Sequence, residues 1–168
     1  QKIMPRMPVI SKVREKIINS DNLVLKVSQW KKNKMKVAFT NGCFDILHLG
    51  HLEILTKSKE FGDRLIVAVN SDESVRKLKG KERPVNDFQT RSHMLASFSF
   101  VDYVVEFSDD TPIKLIQKIK PNFLIKGGDY QKKDIVGNDI VSSYGGETII
   151  IPLIDGLSST NTINKINK

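Results

Sequence analysis

The run Arg64-Leu-Ile-Val-Ala-Val-Asn70 is apolar at every position between its ends. A strand wetted on one face alternates polar and apolar residues, so an unbroken run of this length reads as a strand covered on both faces. Such strands sit in parallel sheets, because the crossover between parallel neighbours is long enough to form a helix and packs over a face. Four further runs read as strands: Met35–Thr40, Tyr103–Phe107, Asn122–Ile125 and Glu147–Ile151. The stretches between them read as helices over about 50–61, 87–98, 110–119 and 134–144, and a last helix starts at Ser158 or Ser159. This alternation predicts an α/β fold: a parallel five-stranded sheet with helices on both faces.

Local signals set the expected boundaries. Gly62 is placed as the glycine that ends a helix, Asp87 as an N-cap and Pro112 in a first helical turn. Pro121 and Gly145-Gly146 are expected to stop their helices. Residues 71–86, rich in charge and containing Gly80 and Pro84, read as one long loop. Residues 1–10 carry Pro5 and Pro8 and are assigned no element. Short helices are expected over 11–18 and 22–32, the second with Leu23, Val27 and the packing anchor Trp30 on one face. The chain thus divides into an N-terminal helical extension, 1–34, and a main domain, 35–168. The extension is expected to cover part of the sheet or a partner subunit, and a homodimer is expected.

In open parallel sheets, ligands bind beyond the carboxyl ends of the strands. Suggestive groups follow four of the expected strands: Thr40-Asn-Gly-Cys-Phe-Asp-Ile-Leu-His-Leu-Gly-His51, Asn70-Ser71-Asp72, Lys126-Gly127-Gly128-Asp129 and Ser158-Ser159-Thr160. In the first, Gly42 and Gly50 permit close approach of backbone to a ligand. The following helix start aims free N–H groups at an anion. His48 and His51, three apart, share a face there. With Cys43 and Asp45 nearby they could bind zinc, they could simply pack, or they could hold charge on a phosphate. The glycines and the helix N-terminus favour phosphate. Neither GxxxxGK[ST] nor a GxGxxG after a strand occurs, which argues against a P-loop and a dinucleotide fold.

With 27 Lys and Arg against 19 Asp and Glu, the net charge is +8. The lysines are scattered and few aromatics lie among them, so anionic small molecules are favoured over nucleic acid. No apolar run approaches the roughly 20 residues of a membrane helix, and no signal peptide is evident. The lone Cys43 suits a reducing cytoplasm, so no membrane association and a cytoplasmic location are expected.

The stretch TNGCFDILHLGH resembles the HxGH signature of the cytidylyltransferase-like nucleotidyltransferases, with Gly42, Phe44, Asp45, His48, Gly50 and His51 in register. The resemblance implies their Rossmann-like fold and transfer of a nucleoside monophosphate from a triphosphate, with release of pyrophosphate. It implies catalytic roles for His48, His51 and Lys79, and nucleotide contacts from Thr40, Asn41, Gly42, Phe44, Asp45, Gly50, Lys126, Gly127, Asp129, Ser158, Ser159 and Thr160. Asp45 is equally read as a cap. The segment from Arg76 to Pro84 resembles the family's mobile KG…RP segment, which closes over phosphates. By the same likeness Arg83, Arg91 and Asp72 are expected to bind substrate phosphate, with Arg83 or Arg91 on the incoming phosphate or the leaving pyrophosphate. His93 is read as surface or packing.

The runs LKGKERPVN, IKGGDY and DGLSSTN extend the likeness to about 35–166. Within the family they resemble the bacterial D-glycero-β-D-manno-heptose 1-phosphate adenylyltransferases, often one half of a bifunctional kinase–transferase. Here 168 residues leave no room for a kinase, so a transferase alone is expected. This likeness implies ATP with Mg²⁺ and a sugar 1-phosphate as partners. A glycerol-3-phosphate cytidylyltransferase, a non-catalytic nucleotide sensor and a nucleic-acid-binding domain are the competing readings.

Overall fold

The computed structural model describes residues 8–167. Its strands are β1 (Val37–Gly42), β2 (Arg64–Asn70), β3 (Tyr103–Phe107), β4 (Phe123–Gly127) and β5 (Glu147–Ile151). Its helices are α1 (Val9–Arg14), α2 (Ser20–Lys32), α3 (Leu49–Phe61), α4 (Asp72–Lys79), α5 (Phe88–Ser97), α6 (Ile113–Ile119), α7 (Asn138–Ser143) and α8 (Ser159–Ile166). The strands form one parallel sheet in the order β3-β2-β1-β4-β5.

The apolar run of β2 behaves as its composition demands. Leu65, Val67 and Val69 pack with Leu55 of α3 and Leu95 of α5, while Ile66 and Ala68 pack with Leu23 and Val27 of α2 and Ile116 of α6. Burial of a side chain of this kind contributes roughly 1.5–3 kcal/mol.

Several expectations are corrected. Residues 1–7 of the stretch given no element lie outside the described residues, and Val9 and Ile10 open α1. That helix stops at Arg14 rather than running to Ile18, because the chain turns at Glu15 and Lys16, and Ile17 bridges Val104 along β3. The expected loop 71–86 contains α4, capped by the Ser71 hydroxyl accepting from Ser74 N–H. The helix expected over 134–144 splits into a 3-10 turn (Lys132–Asp134) and α7, with Gly137 at φ +93° between them. Gly62 does end α3 but is extended, not left-handed. Its absent side chain is a matter of space, since a Cβ there would lie 2.8 Å from the Ala38 nitrogen on β1. Trp30 packs as expected, stacked on Tyr103 at 5.5 Å, and α2 contributes fully to the main core.

The chain leaves central β1 for β2 and β3 on one side, then crosses back to β4 and β5 on the other. The reversal opens a crevice between the carboxyl ends of β1 and β4, where a doubly wound sheet binds ligands.

Candidate active site

The loop leaving β1 is held from three sides. Arg91 of α5, about 1% exposed, donates to the Cys43 carbonyl at 2.6 Å and pairs with Asp72 at the start of α4 at 2.7 Å. Asp45, about 2% exposed, accepts from Arg83 Nε at 2.6 Å and from the Val85 and Asn86 amides at 3.0 and 2.9 Å. Burial alone would raise the Asp45 pKa; the two amides and the guanidinium outweigh it and hold the carboxyl below its usual range. Ser159 of α8 donates to the Ile46 carbonyl and accepts from the Ile46 amide. Between these ties Phe44 sits at φ +49°. That conformation costs a bulky residue about 1–3 kcal/mol and is kept only where surroundings over-determine it.

The two histidines open α3. His48 is its N-cap, and its Nδ1 accepts from the Gly50 amide at 3.1 Å. His51 Nδ1 accepts from the His48 amide at 3.3 Å. A ring that accepts at Nδ1 carries its proton on Nε2 when neutral. Both are held neutral at pH 7. Burial lowers the His48 pKa, while burial, His48 and Lys79 together bring that of His51 to about 4. The ring centroids lie 3.9 Å apart and Phe44 packs on His51 at 5.3 Å. A Cβ at Gly50 would meet the His48 ring at 3.0 Å, so this glycine makes room for the imidazole.

The crevice has two lobes. The smaller, about 240 Å³, is lined by His48 and His51 together with Thr40, Asn41, Gly42, Phe44, Gly50, Gly127, Ser158, Ser159 and Thr160. The larger, about 480 Å³, lies toward α6 and the 3-10 turn. Asn41, Gly42, Cys43, Lys79 and Lys126 line both lobes. Burial lowers the Lys126 pKa, so a bound anion would favour its charged form.

Thirteen expected residues therefore meet in the small lobe or at its junction with the large one: the nine above, of which Thr40 is buried and Thr160 exposed, together with His48, His51, Lys79 and Lys126. The rest do not join them. Of Arg83 and Arg91, expected on a phosphate, Arg91 is held by Asp72 and backbone carbonyls and the Arg83 Nε by Asp45, while the buried Arg83 Nη2 has no partner among the described residues; neither lines a lobe. Asp72 is the anionic partner of Arg91, and a carboxylate is a poor neighbour for phosphate. Asp45 neither faces a lobe nor caps α3; it ties down residues 83–86. Asp129 is exposed outside both lobes. His93 sits on α5 against the Gln89 carbonyl.

The large lobe is lined by Asn70 and Tyr130, from two of the groups that follow strands, and by Leu78, Asp110, Thr111, Pro112 and Asp134, which are not among the expected site residues. The segment Asp110–Pro112 follows the carboxyl end of β3, where the rule for such sheets also places ligand contacts.

The cytidylyltransferase-like family model matches residues 39–164, and the chain belongs to that family. It is 49% identical over 151 residues to the bifunctional protein HldE of Geobacter metallireducens, covering 90% of this chain and 31% of that one. It is 46% identical over 166 residues to HldE of Rhodopseudomonas palustris strain HaA2, covering 98% and 34%. The chain thus spans about a third of the length of these curated relatives. Among solved structures, the lipopolysaccharide core biosynthesis protein of Thermoplasma volcanium is 28% identical, with a TM-score of 0.57 over 71% of this chain and 97% of that one. Pantoate-beta-alanine ligase of Francisella tularensis, 18% identical with a TM-score of 0.61 over 90% and 79%, shares the fold.

Proposed function

We propose that this chain is an adenylyltransferase that moves AMP from ATP onto D-glycero-β-D-manno-heptose 1-phosphate, releasing pyrophosphate and forming ADP-heptose for a lipopolysaccharide core or surface glycan. One observation carries the reading: two cavities that share Lys79 and Lys126. Two polyanions must be brought together in this reaction, and cations at the junction offset their repulsion. The family, the HldE relatives and the runs over 35–166 support the substrates.

ATP lies in the small lobe, its phosphates against the α8 N-terminus and the two imidazoles. The acceptor's phosphate oxygen attacks the α-phosphorus in line, the new P–O bond forms, and the α–β anhydride bond breaks to release pyrophosphate. The Nε2–H groups of His48 and His51 donate to phosphate oxygens as charge builds there, and Lys79 and Lys126 stabilise both reacting phosphates. Such transfer depends on positioning and charge more than on covalent participation by protein. Arg91, Asp72, Asp45 and Arg83 act one step back, by holding the loop that presents the histidines.

Mg²⁺ enters as part of the substrate, MgATP. The small lobe is lined by no carboxylate, Asp45 is fully engaged elsewhere, and no group of three His, Cys, Asp or Glu suited to a metal occurs among the described residues. No step is therefore assigned to a resident ion. A homodimer is part of the proposal, supported by exposed Val9, Ile10 and Met94 on the mutually packed α1 and α5. So is a cytoplasmic location. Among the described residues no helix is long and apolar enough to cross a membrane.

The test is pyrophosphate release with ATP, CTP and GTP across heptose 1-phosphate, hexose 1-phosphates and glycerol 3-phosphate. ATP with heptose 1-phosphate is expected to give the highest kcat/KM. Preference for CTP with glycerol 3-phosphate, or no turnover with any pair, contradicts the proposal.

A further inference from the structure

The two lobes differ in charge in a way the transfer chemistry alone does not require. Lys79 and Lys126 line both, but Asp110 and Asp134 line only the large one, and no Asp or Glu lines the small one. Asp110 follows β3 and Asp134 ends the 3-10 turn after β4, so separate elements bring them to one cavity. The nearby cations are engaged elsewhere: Lys114 pairs with Asp109 at 2.9 Å and Lys132 with Glu147 at 3.5 Å. Among the described residues no cation lies within ion-pair distance of Asp110 or Asp134. Carboxylates in this setting repel a triphosphate or an acceptor's carboxylate group. They accept strongly from hydroxyl groups, since an ionised carboxylate offers only acceptors.

From this asymmetry we infer that Asp110 and Asp134 determine acceptor specificity, taking hydrogen bonds from the hydroxyls of a polyhydroxylated acceptor whose single phosphate rests on Lys79 and Lys126. Thr111 adds a hydroxyl to the same wall, and Phe107 and Ile135 give the carbon–hydrogen faces of a sugar an apolar surface. The arrangement selects a neutral polyol bearing one phosphate, and it excludes a second nucleotide and acceptors that carry a carboxylate.

The inference rests on the assignment of the large lobe to the acceptor, and the experiment separates the two. Asp110→Ala and Asp134→Ala are compared with the wild type in pyrophosphate release with ATP and heptose 1-phosphate. Binding of α,β-methylene-ATP is followed by calorimetry. A hydrogen bond to a charged group is worth about 1.5–3 kcal/mol, so the KM for the sugar phosphate is expected to rise about ten- to hundredfold in each variant. The analogue's Kd should stay within about twofold, which also shows that the variants fold. An unchanged sugar KM in both variants, with the wild type active, overturns this inference alone. An equal loss of analogue affinity overturns it too, by placing the carboxylates in the nucleotide lobe. A wild type that turns over no sugar phosphate overturns both the inference and the adenylyltransferase reading.

Discussion

The two lobes are built on different principles. The small one is made of backbone and imidazole: a loop held in a strained conformation, two helix N-termini and rings whose Nδ1 atoms are occupied by amides. Its groups are fixed by the chain around them. The large one is lined by side chains from α4, the β3–α6 turn and the 3-10 turn, several of them exposed: Leu78, Asp110, Tyr130, Asp134 and Val136. Rigid backbone donors suit the part of the reaction where charge builds up, because they need no reorganisation. A side-chain wall on separate connections can be changed without touching that machinery, as expected where an acceptor is chosen. Lys79 and Lys126 belong to both regions.

The largest effects should fall on the small lobe. His48→Ala and His51→Ala are expected to lower kcat by at least about 10²–10³, the scale for losing a donor to developing charge. Circular dichroism should show the fold intact, and near wild-type turnover in both variants would break the division of labour. At the junction, Lys79→Ala should weaken both substrates together, seen as a rise in both KM values, whereas a change in one alone would move Lys79 into a single lobe.

Removing one member of a buried ion pair should act on stability. Asp45→Ala, which leaves Arg83 buried and unpaired, is expected to cost about 3–5 kcal/mol in urea unfolding, and Arg91→Ala less, because the Asp72 carboxylate it leaves is partly exposed to water. A small change would mean the loop is not held as described. The His51 pKa sharpens the picture further. A histidine whose pKa falls from 6.5 to about 4 on folding binds fewer protons in the native state. Its contribution is therefore complete above pH 6.5 and is lost as pH falls toward 4, on the order of 2–3 kcal/mol. His51→Asn should flatten that part of the stability–pH curve. The smallest effect is expected from Ser158→Ala, which removes the α8 cap and should cost about 1 kcal/mol in thermal unfolding.

The sheet was readable because its strands are short, apolar and spaced by helices. β2, β3 and β5 fall at the residues expected for them. The small lobe was readable because its groups are consecutive in the chain: one motif supplies Thr40 to His51 and another supplies Ser158 to Thr160. Helix α4 was missed because Val75 is the only apolar side chain it buries. A single buried apolar residue gives no helical periodicity to stand out against the lysines around it. The partners of Arg83 and Arg91 were not legible because composition shows a cation but not what it pairs with. Arg91 reaches Asp72 across 19 positions and Arg83 reaches Asp45 across 38. The large lobe is non-local in the same way, drawing Asn41 from the end of β1 and Asp110 and Asp134 from two separate connections. A shift of one turn in any of them would rearrange it, and no run of sequence records that geometry.

The most direct test of this two-lobe site is a crystal structure with α,β-methylene-ATP and heptose 1-phosphate bound together. The expected result places the α-phosphate within hydrogen-bond reach of the Nε2 atoms of His48 and His51, with the sugar hydroxyls in the other lobe and both phosphates at Lys79 and Lys126. A nucleotide whose phosphates lie away from the histidines, or a sugar seated in the small lobe, would contradict it.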